Sequence, residues 1–306
     1  MDSDGLARPI DFTARAGAGL HLGVSLGGGG LFFVAWQVTY LEQLARWGVD
    51  LKGADRVVGT SAGSLVGAIL EGGHLRRFER EVSFFAKTPA LVSALAPSSS
   101  LKPSQQRALD AFVAAQSAEP DLVRSLGHLA LAAATPSANK MARSVSLMLL
   151  SRAWPASSLH VTCVDTVTGE RCVVTGGSGV RIERAVAASS AVPGIFSPQP
   201  IGDRRCMDGG VSGSGTHLDL LAGADRVVVL SLVDPTPKDV GAMTQAPGAF
   251  QSEVAQLEAS GSRVFLRSPE TMDLQTLMDP KSVPDAIAMA KRQAANDADE
   301  LRAFIS

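Results

Sequence analysis

Several features are missing from this 306-residue chain, and each absence removes a class of function. Basic charge is not in excess: 28 Lys and Arg stand against 30 Asp and Glu, a formal net charge of −2, with no long run of either sign. Nucleic-acid proteins normally carry a basic patch or stripe, so that class is set aside. No stretch reaches the ~18 consecutive apolar residues that a membrane-spanning helix needs. The opening Met1-Asp2-Ser3-Asp4 is acidic and lacks the apolar core of a secretory signal. The expectation is a cytoplasmic protein, with peripheral contact to a membrane surface left open. Cysteine is scarce. Cys163, Cys172 and Cys206 match no metal-binding spacing and cannot all pair, so they read as buried thiols in a reducing compartment. A phosphate-binding loop is missing too. After the four glycines at 27–30 there is no Gly-Lys-Ser or Gly-Lys-Thr, and Phe32 or Phe33 holds the place of a dinucleotide fingerprint's third glycine. Nothing calls for a metal or an organic cofactor, and no internal repeat is present.

What is present fits one large α/β domain or two small ones by length, and with 45% of residues hydrophobic and 19% charged a sizeable core can be buried. Residues 21–26 (HLGVSL) form a short apolar run that ends in the glycines at 27–30. A helical pattern follows over 35–47 and stops at Gly48. Residues 55–58 read as a second strand, entering Gly59-Thr60-Ser61-Ala62-Gly63 and a helix over 64–70. Strand, glycine turn and helix, twice over, predict βαβ units and a central, mostly parallel sheet flanked by helices.

Residues 75–153 differ. They are rich in Ala, Leu and Ser and are broken at Pro97-Ser98-Ser99-Ser100 and Thr135-Pro136-Ser137. This composition predicts a helical insertion or lid after the Ser61 helix. A hairpin is expected from 159–164 and 171–175, then a helix over 182–189, a strand near 205–207 and a buried strand over 226–232. Two tail helices are expected, near 250–259 and 284–304. The organisation is therefore an N-terminal segment 1–18, a main domain 19–235 and a helical extension 236–306 packed on it.

Three motifs carry chemistry. Gly59-x-Ser61-x-Gly63 lies between an apolar strand and an apolar helix, where a sharp turn would hold the serine hydroxyl out of the sheet. The glycines at 27–30 free several N–H groups to point at one anion or oxyanion. Asp208-Gly209-Gly210 follows a strand, placing a carboxylate where open α/β sheets keep their sites. Taken singly, each also reads as an ordinary turn.

Together, their order resembles the patatin-like phospholipase family. The segment 187–193 (AASSAVP) with Phe196 and Pro198 also looks like the family's stretch before its aspartate, and the likeness runs from about residue 20 to 233. The resemblance implies Ser61 as nucleophile, Asp208 as base, Gly59 and Gly63 as the elbow glycines, and Gly28, Gly29 and Gly30 as the oxyanion hole. It implies a serine hydrolase of lipid acyl esters, with phospholipid, lysophospholipid, thioester and general carboxylic esters all open as substrates. Two departures stand out. Leu31-Phe32-Phe33 fills a place where the family has Arg, Lys or a small residue and then Gly, so these side chains either narrow the oxyanion hole or line an acyl pocket. His217 appears where the family has an asparagine after Asp-Gly-Gly. Two rival readings follow: an α/β-hydrolase with a Ser61–Asp208–His217 triad, and a non-catalytic relative that binds lipids or proteins through the same pocket.

Overall fold

The computed structural model describes residues 4–87, 101–233, 242–273 and 276–306. The Pro97–Ser100 break and the start of the C-terminal extension lie outside these residues.

Five strands form a parallel core. In spatial order they are β3 (Leu159–Asp165), β2 (Arg56–Gly59), β1 (Leu22–Leu26), β7 (Arg226–Leu230) and β8 (Arg263–Arg267). Three more strands are antiparallel. β4 (Arg171–Thr175) pairs with β3 as the expected hairpin. β6 (Arg204–Asp208) pairs with the second half of β3, and β5 (Gln199–Ile201) closes that edge. The fold is thus α/β with a mostly parallel sheet, as the alternating motifs predict.

Helices cover both faces, so the strands are apolar on both sides. On β7, Val228 and Leu230 join one core while Val227 and Val229 join the other. The first core lies under α1 (Gly30–Arg46), α2 (Ala62–Glu71), α3 (Leu75–Ala86), α6 (Ala138–Leu149), α7 (Ile182–Ser189) and α9 (Val283–Ile305). The second lies under the turn Leu218–Leu221 and α8 (Ala249–Ala259). A third, smaller core seats α4 (Pro103–Ala114) and α5 (Pro120–Ala132) against Val164, Met207 and Val211. The described part of the predicted insertion is helical throughout its elements.

Three details differ from the sequence expectation. Helix α1 begins at Gly30, so Leu31-Phe32-Phe33 is its first turn, not a continuing loop. Phe33 is fully buried and stacks on Trp36 at 5.4 Å, and Phe32 is also core. Phe33 also packs directly under the glycine loop, where a Cβ on Gly29 would stand 2.6 Å from the Phe33 Cβ. The C-terminal extension is not helical throughout, because Arg263–Arg267 is strand β8. This extension is latched to α1 by buried polar bonds. Trp36 Nε1 donates to Gln293 at 2.8 Å, and Tyr40 donates to Asp297 at 2.7 Å, which Arg267 also holds. The cysteines are free and buried, as expected, but they sit on neighbouring strands, with Cys163 opposite Cys172 across β3 and β4. No group of His, Cys, Asp or Glu among the described residues is arranged to hold a metal ion.

Candidate active site

Ser61 sits on the turn from β2 into α2, at the carboxyl end of the parallel strands. Its backbone has φ 51° and ψ −118°, a conformation that L-residues rarely adopt and that sites keep under strain. The turn is so tight that a Cβ on Gly63 would stand 1.8 Å from the Leu26 carbonyl oxygen. Strand β1 therefore passes directly under the turn, and only glycine fits at 63. Thr60 is buried and its hydroxyl meets Thr162 at 2.9 Å, tying the turn to β3. Ser61 itself is only half-buried.

Two further serines hold the Ser61 peptide. The Ser61 N–H donates to Ser189 Oγ at 2.9 Å, and Ser190 Oγ donates to the Ser61 carbonyl at 3.2 Å. Both come from the end of α7. Their segment contributes to the family resemblance, but nothing in its local pattern says that it grips the elbow from 128 residues away.

Asp208 is the last residue of β6 and faces the elbow. It pairs across the sheet with Cys163, and a Cβ on Gly209 would stand 2.5 Å from Thr162 Oγ1. The carboxylate thus leaves the strand through a turn that admits no side chain at 209. Its Oδ1 accepts the Gly210 N–H at 2.9 Å, while Oδ2 is buried and has no hydrogen-bond partner. Burial pushes the Asp208 pKa up to about 6, and the Gly210 amide and the neighbouring Ser61 hydroxyl draw it partly back. The Ser61 and Asp208 side chains are therefore neighbours, with no hydrogen bond closed between them at rest. Such bonds often tighten only when substrate arrives.

The glycine loop lies on the other side of Ser61. A Cβ on Gly28 would be 3.1 Å from the Ser61 Cβ, so this peptide runs directly past Ser61. The Gly28 N–H is already engaged, donating to the Gly215 carbonyl at 3.3 Å. At rest this N–H therefore does not point free at Ser61. Gly28 instead pins the loop, and the Gly29 and Gly30 amides remain without an acceptor among the described residues. They stand at the start of α1, where the helix dipole also favours negative charge. The loop at 214–217 supports this arrangement from behind. Thr216 accepts from Ser25 at 2.7 Å through its carbonyl, and its hydroxyl donates to buried Glu253 at 3.0 Å. Burial raises the Glu253 pKa to about 7, with the Ser214 and Thr216 hydroxyls acting against it.

His217 belongs elsewhere. It is fully buried, and its Nδ1 accepts from Arg171 Nη1 at 3.2 Å. A guanidinium can only donate, so the proton of the neutral imidazole is on Nε2. Burial first, and then the Arg171 charge, drives its pKa well below the usual histidine value. No hydrogen bond or ion pair joins it to Ser61 or to Asp208. The Ser61–Asp208–His217 triad is not assembled. Arg171 instead forms a two-pronged ion pair with Asp219, at 2.6 and 2.7 Å, and also holds the Arg8 and Pro9 carbonyls.

Comparison with known proteins gives a family match that spans Ser61 and Asp208. A family model described as patatin-like phospholipase matches residues 24–221. No curated protein matches the chain. Among solved structures it is similar to VipD from Legionella pneumophila, at 12% identity and a TM-score of 0.41, over 91% of this chain and 66% of that one. It is also similar to the type III effector protein ExoU, at 15% identity and a TM-score of 0.33, over 97% of this chain and 56% of that one. The chain thus spans just under two thirds of the first and a little over half of the second.

Proposed function

The chain belongs to the patatin-like phospholipase family and at that level is a lipid ester hydrolase, and from this premise we propose that it works through a Ser61–Asp208 dyad. The observation that carries the reading is the pairing of a strained, half-exposed Ser61 with a buried carboxylate whose Oδ2 has no partner. A buried polar atom left unsatisfied is costly, and such atoms collect where chemistry uses them.

In the proposed reaction Asp208 takes the proton from Ser61 Oγ as that oxygen attacks the ester carbonyl carbon. The Gly29 and Gly30 amides donate to the resulting oxyanion, an effect worth about a hundredfold to a thousandfold in rate per donor. The tetrahedral intermediate collapses and the leaving alkoxide takes the proton from Asp208. Water then attacks the acyl-enzyme, gives its proton to Asp208, and the proton returns to Ser61 Oγ as the acid departs. A pKa near 6 suits this role better than an ordinary carboxylate would, since the base stays ionised at neutral pH yet binds a proton more readily.

The substrates are proposed to be acyl esters of lipids. A panel of phospholipid, lysophospholipid, simple ester and thioester substrates, with Ser61→Ala as the blank, tests both parts. Ser61-dependent turnover of lipid esters is expected. Turnover of thioesters alone would move the substrate class, and turnover unaffected by Ser61→Ala would end the dyad reading.

A further inference from the structure

We infer that Glu253 is a positioning residue for the proposed oxyanion site: its buried carboxylate holds the loop 214–218, and that loop fixes the glycine loop beside Ser61. The inference goes one step beyond the dyad reading above and rests on it. It starts from an acid on a core-facing stripe. Phe250, Glu253 and Leu257 follow one another at spacings of three and four, so they share one side of α8. All three are buried, and Phe250 and Leu257 belong to the second core. A carboxylate in that company is costly unless its oxygens are bonded. No cation offsets the cost. Among the described residues Glu253 forms no ion pair, and Asp219 acts on it as a like charge.

What the carboxylate holds is a single loop. Glu253 Oε2 accepts from Thr216 Oγ1 at 3.0 Å and from the Leu218 N–H at 3.5 Å, and the Ser214 hydroxyl also hydrogen-bonds to the carboxylate. Ser214 Oγ in turn accepts the N–H groups of Thr216 and His217, at 3.3 and 2.7 Å. These bonds enclose His217, whose backbone is left-handed at φ 50° and ψ 50°, a strained conformation for any residue with a side chain. The loop therefore carries two costs at one place, a strained residue and a buried acid.

Both costs are accounted for by where the loop's carbonyls point. The Thr216 carbonyl accepts from Ser25 in β1 at 2.7 Å, and the Gly215 carbonyl accepts the Gly28 N–H at 3.3 Å. A Cβ on Gly27 would stand 3.3 Å from the Gly215 oxygen, so the two backbones run side by side. The Gly27 carbonyl accepts from Gln37 Nε2 at 2.9 Å and from the Gly63 N–H at 3.1 Å. The backbone just before Gly29 and Gly30 is thus fixed by the elbow, through Gly63, and by the Glu253 loop, through Gly215. Releasing the second hold shifts the Gly28 peptide and the two amides that follow it. A misplacement of about 1 Å at a reacting centre costs on the order of a hundredfold in rate.

Initial rates on a short monomeric ester test this in the full chain. They are counted per site titrated by a fluorophosphonate, so that unfolded protein does not contribute. Glu253→Met keeps the length of the side chain and removes the acceptor. It should lower kcat at least about thirtyfold and leave KM within about threefold, because the lost positioning acts in the transition state. Glu253→Gln restores an acceptor and should bring kcat back to within about fivefold of the parent. Thr216→Val removes one bond of the chain and leaves the carboxylate in place, and should lower kcat at least about fivefold, the size of one hydrogen bond. Added to Glu253→Met it should cost less than about a further twofold, since the two side chains act through one contact. A Glu253→Met kcat within about twofold of the parent overturns the inference, as does a Glu253→Gln loss as large as that of Glu253→Met. If Glu253→Met yields no folded protein, Thr216→Val decides, and a kcat within about twofold of the parent then overturns the inference. Failure of the dyad is read separately, as parent turnover that survives Ser61→Ala.

Discussion

Two buried polar clusters lie nine residues apart in sequence at Asp208 and His217, and the fold treats them in opposite ways. Around Arg171 and Asp219 the charges are matched: the guanidinium reaches a carboxylate by two prongs, two carbonyls and the His217 Nδ1, although His217 Nε2 is itself buried without a partner among the described residues. That cluster ties the N-terminal segment to β4 and the turn after His217. Around Ser61 and Asp208 the groups are left wanting. Among the described residues a carboxylate oxygen has no partner and two amides have no acceptor, and the serine backbone is strained. The first cluster stabilises the fold. The second costs stability, as a site that holds reactive groups ready would under the proposed dyad.

The sharpest way to break this contrast is to remove a member of each. Ser61→Ala or Asp208→Asn should reduce ester turnover by about 10⁴-fold or more, since nucleophile and base act as a unit, and initial rates measure it. Either variant retaining a tenth of the activity would merge the clusters. Asp219→Ala should leave the Arg171 charge buried and alone, lowering stability by about 3–5 kcal/mol in urea titration. A loss under 1 kcal/mol would mean that this cluster does not anchor the fold.

Stability should move the other way at Asp208. A carboxyl with a raised folded pKa is most favourable to the fold when protonated, and that contribution is lost as pH rises through about 6. Above that pH the ionised group costs about 3 kcal/mol for a shift of roughly two pKa units. Asp208→Asn should therefore raise stability at pH 8 by about 2–3 kcal/mol while abolishing turnover. An unchanged or lowered unfolding free energy at pH 8 would contradict the account. The smallest effect belongs to His217→Ala, which should keep kcat/KM within about tenfold of the parent, or ~1.4 kcal/mol. A loss near that of Ser61→Ala would return the histidine to the mechanism.

The difference between the clusters also explains what could be read from the sequence. Gly59, Ser61 and Gly63 are legible because the constraint is local: one sharp turn over β1 admits no side chain at 63. Asp208 is legible for the same reason, through Gly209. Strands β1, β2 and β7 show as apolar runs because both of their faces are buried. Strand β8 escapes notice because Arg263 and Arg267 bracket it and leave only three apolar residues between them. The Ser189 and Ser190 grip, the Arg171–Asp219 pair and the latch from Trp36 to Gln293 all join residues far apart in the chain. No local spacing announces such contacts. The hydrogen bond from the Gly28 amide to Gly215 is hidden on the same ground, since its acceptor lies far along the chain.

The central claim is that Asp208, with its buried carboxyl, activates Ser61 without a histidine. The rate at which a fluorophosphonate labels Ser61, followed from pH 4 to 9 in the parent and in Asp208→Asn, tests it most directly. The account predicts a parent rate that climbs about tenfold per pH unit below about 6 and levels off above it, the titration of one carboxyl. It predicts that Asp208→Asn labels Ser61 at least about a thousandfold more slowly at pH 8, with no inflection near 6. Labelling of Asp208→Asn at the parent rate, or an inflection near 6 that survives the substitution, would contradict it.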